Sequence, residues 1–200
     1  MAFGAGAGMK PGLWLGMALV AVSAQAAQPP TLQQAAERFL TWHQSAGVRG
    51  APDAAALRAL QPLLTPALHC VLQQADGLRS AIAQARPDEK PPFVGGDLFS
   101  SLWEGPSTFR IASVQVQRNS ARVLVRFTHS PDAGQAPVVW QDALHLQRTA
   151  AGWRVADVEY LGQWDFALKG RLRAALVAEL GERDPAAPAV PTAVKACLRL

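Results

Sequence analysis

The apolar spacing of this chain changes once, and that change constrains the fold more than any other feature. Before Pro87 apolar residues recur at helical intervals. After Pro106 they alternate, as half-buried strands require. Thr31-x-x-Gln34 forms a capping box, and Leu32, Ala36, Phe39, Leu40 and His43 then share one helical face up to the Gly47 stop. Asp53 caps a short second helix through Leu60. Thr65-Pro66 starts a third, in which Leu68, Val71, Leu72, Ala75, Leu78 and Ile82 share a face. Residues 87–106 hold four prolines and the Gly95-Gly96 pair, so they read as an irregular connection, yet Phe93, Leu98, Phe99, Leu102 and Trp103 make it too apolar to sit in solvent.

Beyond it, Phe109 and Ile111, then Val114 and Val116, alternate with a one-residue slip that predicts a β-bulge. Val123, Val125 and Phe127 make the return strand. A third strand spans Val138 to Gln147, and the Thr149 to Gly152 turn leads into a fourth, Trp153 to Tyr160. Asp165 is expected to cap a last helix with Leu168, Leu172, Ala175, Leu176 and Glu179 on one face. The expected fold class is therefore α+β, with helices over one face of a curved antiparallel meander. The division is a leader over 1–26, one domain over 27–181, and an Ala/Pro-rich tail over 182–200.

The leader is read from Lys10, an apolar run from Leu13 to Val22, and the small-x-small pattern Ala24-Gln25-Ala26, which together predict export and cleavage after Ala26 whether translation starts at Met1 or Met9. Ten apolar residues are about half of a membrane span, so no stable membrane anchor is expected and the destination is periplasmic or secreted. The net charge of +4 contains no basic run, which argues against nucleic acid as a partner. The two cysteines, Cys70 and Cys197, favour a disulfide in an oxidising compartment, with the alternative of a buried Cys70 and a free Cys197.

The segment Gly96-Asp97-Leu98-Phe99-Ser100-Ser101-Leu102-Trp103-Glu104-Gly105-Pro106 with Phe109, the later Trp153-Arg154-Val155-Ala156-Asp157-Val158-Glu159-Tyr160, and Phe39-Leu40-Thr41-Trp42 resemble an uncharacterised family of exported bacterial domains. That family is similar to the periplasmic immunity proteins that neutralise type VI secretion amidases, within the nuclear transport factor 2-like (cystatin-like) superfamily. The resemblance runs from about Thr31 to Leu180. It implies a cone of three N-terminal helices on a curved four-stranded antiparallel meander, plus a C-terminal helix. It does not imply one activity, because that superfamily hosts enzymes, carriers and assembly modules.

Candidate chemistry comes from three residue sets. A regular register across the Thr149 to Gly152 turn pairs Leu146 with Val155, Leu144 with Asp157, and Asp142 with Glu159, which would gather Asp142, Asp157 and Glu159 on the face of Trp140 and Trp153 as an acid-base set. A register slip or a solvent-facing rim leaves them structural. The aromatic set Trp42, Phe93, Phe99, Trp103, Trp140 and Trp153 either fills the core or lines a pocket for a small apolar ligand. Arg110, Arg122, Arg126 and Arg154 have the outward parity of a basic sheet face for an acidic partner, or of a solvated one. The four histidines lack metal-ligand spacing, and His43 reads as a hydrogen-bonded core histidine.

These readings favour a non-enzymatic exported domain that binds a partner protein or small apolar ligand. The candidate contact residues are Trp42, Trp103, Trp140 and Arg110, and neither metal nor cofactor is called for. The competing expectation is a small dehydratase- or isomerase-type enzyme. Intact-mass measurement of the exported protein should give a chain beginning at Ala27; a mass retaining residues 1–26 would remove the export reading.

Overall fold

The computed structural model describes residues 1–4, 30–131, 134–182 and 184–200. Apart from its first four residues, the expected leader lies outside them. Helix α1 (Leu32–Ala46) opens on the Thr31/Gln34 capping box and ends at Gly47, whose φ of 57° is left-handed. Helix α2 (Ala54–Leu60) is capped by the Asp53 carboxylate, and α3 (Pro66–Ala85) by the Thr65 hydroxyl with Pro66 in its first turn. Each start agrees with its sequence signal.

Strands β1 (Thr108–Gln117), β2 (Ser120–His129), β3 (Val138–Thr149), β4 (Gly152–Tyr160) and the short β5 (Gly170–Arg171) form one antiparallel sheet in the order β1-β2-β3-β4-β5. The expected slip in β1 is present as a register shift between Ile111 and Ser113. Ala121, Val123, Val125 and Phe127 of β2, with Leu144 and Leu146 of β3, turn one sheet face toward Phe39, Leu40, Leu68, Val71 and Leu72 of the helices, and all are buried in a single core. The other face bears Arg110, Arg122 and Arg126 at partial or full exposure.

The chain carries five helices and five strands among its described residues, against the four and four expected. The last helix of the domain does not start at Asp165: residues through 169 stay irregular, β5 pairs with the end of β4, and α4 runs Leu172–Gly181. Residues expected to form a tail contain α5 (Val190–Cys197), whose Val190, Val194 and Cys197 are buried against the core. Its attachment is covalent. Cys70 on α3 and Cys197 are joined by a disulfide with their Cα atoms 5.4 Å apart, across a sequence separation of 127. The Arg86 guanidinium adds a second tie, donating to Asp184 at 2.5 Å.

No helix among the described residues is long and apolar enough to cross a membrane. A disulfide pair is compatible with an oxidising compartment. Closing so long a loop restricts the unfolded chain, so a Cys70→Ser/Cys197→Ser variant should lose about 2–4 kcal/mol in reversible denaturant unfolding. A midpoint equal to that of the wild type would mean that the bridge contributes nothing.

Candidate functional site

The irregular segment between α3 and β1 is held by two buried aspartates. Asp97 organises its own turn: one carboxylate oxygen accepts from the Phe99 N–H at 2.7 Å, and the other accepts from the Ser100 hydroxyl at 3.1 Å and lies 2.6 Å from His43 Nε2. His43 is thus a hydrogen-bonded core histidine. The Asp97 N–H reaches Trp103 O at 2.9 Å and closes the loop on itself. Two more strands of contact come from the segment before α2, where Gly50 N–H donates to Gly96 O and Ala51 N–H to Phe93 O.

Asp142, on β3, ties this loop to the sheet. Its carboxylate accepts from the Ser101 N–H at 2.7 Å, the Ser101 hydroxyl, the Trp140 indole at 2.8 Å and the Leu161 N–H at 2.8 Å. Four donors occupy the lone pairs of one anion. Burial pushes the Asp142 carboxyl above its ordinary range, and the donors from Leu161, Ser101 and Trp140 oppose that shift. The Ser101 hydroxyl oxygen in turn accepts from the Gly162 N–H at 3.0 Å, and Ser101 O from the Leu168 N–H. Tyr160 donates its hydroxyl to Leu98 O at 2.6 Å, and burial, reinforced by Asp97, Asp157 and Asp142, raises its pKa and keeps it neutral.

The loop presents Trp103. This ring lies over the Gly95-Gly96 backbone, where a Cβ on Gly96 would collide with it, and Gly96 has a φ of +76°. Gly105, at φ +73°, leaves room for the Asp97 carboxylate in the same way. Trp103 remains 56% exposed. In the neighbouring 161–169 segment, tied to the same Ser101, Phe166 is 93% exposed. Phe166 carried no sequence signal that distinguished it from a core aromatic.

The three candidate carboxylates are not brought together. Leu146 pairs with Val155 as expected, but a register shift follows, so that His145 pairs with Asp157, Leu144 with Val158, Ala143 with Glu159 and Asp142 with Tyr160. Ala156 is the extra residue. One slipped position sends Asp157 and Glu159 to the face opposite Asp142. Asp157 accepts from the Val158 and Arg173 N–H groups at the start of α4. Glu159 binds Arg122 Nε at 2.9 Å and His145 Nε2 at 2.8 Å; partial burial opposes its ionisation, yet these partners hold its pKa below the ordinary range. Each acid already has a structural task, and the convergent acid-base set expected from the sequence does not form.

The aromatic set also divides. Phe99 and Trp140 are buried in a stack of edge contacts with Phe39, Phe127 and Trp164, at centroid distances of 5.4–6.0 Å. Trp42 leans on Phe99 and edges an open groove beside α2, while Trp103 faces solvent. Arg110 lies opposite Arg126 on the uncovered sheet face, away from Trp140, and Arg154 leaves that set because it donates to Gln61 O at 2.9 Å. Among the described residues no three His, Cys, Asp or Glu side chains gather as a metal site.

Comparison of the chain with family models, curated proteins and solved structures finds no match. The site therefore stands on its geometry. Replacing Asp142 by Asn puts an NH2 group among four donors, so Asp142→Asn should cost about 2–3 kcal/mol of unfolding free energy. An unchanged denaturation midpoint would show that the carboxylate is not the anchor described.

Proposed function

We propose that this protein is an exported, non-enzymatic binding domain of the immunity-like kind, built on a nuclear transport factor 2-like cone, and that it binds a partner protein through the end of the molecule that presents Trp103 and Phe166. The observation that carries this reading is an exposed indole on a loop held by buried hydrogen bonds. An ordinary exposed loop needs no such anchoring. A preordered aromatic, by contrast, enters an interface with little conformational entropy left to lose, and aromatic anchors supply much of the energy of protein interfaces.

The immunity-like version gives this surface a mode of action. Seating the Trp103 loop over the mouth of an effector's active site would exclude its substrate without any chemistry by this chain. The small-ligand version has less support, because Phe99 and Trp140 fill the core rather than line a cavity. Enzymatic use of Asp142, Asp157 and Glu159 loses its basis with their separation onto two faces.

The test is a comparative capture from envelope extract on immobilised wild type, a Trp103→Ala/Phe166→Ala variant and an unrelated exported protein. A partner held by the wild type alone, with affinity for the variant down by roughly thirtyfold or more, is the expected result, given about 2 kcal/mol per interface anchor. Equal recovery on wild type and variant, or no enrichment over the unrelated protein, overturns the reading.

A further inference from the structure

The sheet face that no helix covers concentrates positive charge at its β1–β2 hairpin end. A concave region of about 860 Å³ there is bordered by Arg118 from the hairpin, Arg122 from β2, His145 from β3, and Arg171 and Arg173 from the β5–α4 junction. The acids facing it are Glu159, engaged with Arg122 and His145, and the buried Asp157, whose carboxylate accepts from the Val158 and Arg173 N–H groups. The guanidinium groups of Arg118, Arg171 and Arg173 have no hydrogen-bond or ion-pair partner among the described residues. Four cations against two acids leave the cleft positive.

Two features show that this charge is placed at a cost to the fold. Arg118 sits at a φ of +50°, a conformation that Gly or Asn adopts more readily. Arg171 is the N-cap of α4 without a capping side chain, and no acid occupies the first turn, so two guanidinium groups stand at the positive end of a helix dipole. A helix start selected for stability alone would carry Asp or Ser there. An anion lying in the cleft would meet the guanidinium groups and the dipole together.

We propose that this cleft binds an acidic, extended peptide segment of a partner protein. Guanidinium groups match carboxylates in fork geometry, and the amides of Gln115, Gln117 and Gln147 beside them can both donate to and accept from a peptide backbone. No aromatic ring lines the cleft to stack a base or a sugar. The site shares no residue with the Trp103 end, so it goes beyond the function proposed above and its failure would leave that reading intact.

The test uses the full exported chain with its disulfide intact and a fluorescein-labelled octaglutamate peptide, read by fluorescence anisotropy at low salt. Saturable binding is expected, weakened at least tenfold by Arg118→Gln/Arg173→Gln in protein whose melting temperature is unchanged. A second pair, Arg38→Gln/Arg58→Gln, removes the same charge from the helical layer and should change binding less than twofold. No saturable binding, equal loss in both pairs, or binding of inorganic polyphosphate but not of octaglutamate would overturn the proposal.

Discussion

The buried carboxylate of Asp142 is the constraint on which the rest of the structure leans. Its four donors come from the 97–106 loop, from its own strand, and from the segment that leaves β4. A lone carboxylate in that position would be strongly disfavoured by desolvation, and each donor alone would be an unsatisfied buried group; together they remove both costs. One anion therefore fixes three pieces of chain that share no regular secondary structure. Asp97 repeats the device inside the loop, with His43 linking it to α1.

This arrangement explains why an irregular stretch rich in Pro and Gly is ordered under the sheet. Phe99 supplies the apolar contact and Ser100 and Ser101 the polar ones, so the loop behaves as a piece of core whose outer rim carries Trp103. The C-terminal segment is held by a different route. The Cys70–Cys197 bond, the Arg86–Asp184 pair and the buried face of α5 convert what would be a short, marginal helix into part of the body.

Two surfaces then remain free for recognition, and they differ in chemistry. The Trp103 end is aromatic and preordered by buried hydrogen bonds. The uncovered sheet face is polar and basic, with Arg122 held by Glu159 while Arg118, Arg171 and Arg173 project from the hairpin and the helix start. Neither surface contains a group poised for acid-base work, since the acids of the sheet are committed to donors or to Arg122 and His145. Binding, not turnover, is the property this architecture serves.

Local signals made much of the fold legible. The capping residues Thr31, Asp53 and Thr65 located three helices, strict alternation located four strands, and the broken alternation at Ile111 to Val114 revealed the β1 bulge, because each depends on neighbours within a few residues. The β4 bulge left no such trace: Ala156 is small and neutral toward either face, so the register of Asp157 and Glu159 was decided by pairing across strands. The same holds for α5, whose short apolar pattern becomes a helix only through α3 and the disulfide, and for the gathering of Ser101, Leu161 and Trp140 around Asp142. By itself the sequence determined the α+β order and the ends of its regular elements. Only tertiary structure decided which carboxylates are buried and which side chains meet, because desolvation and cross-strand register are set by partners distant along the chain.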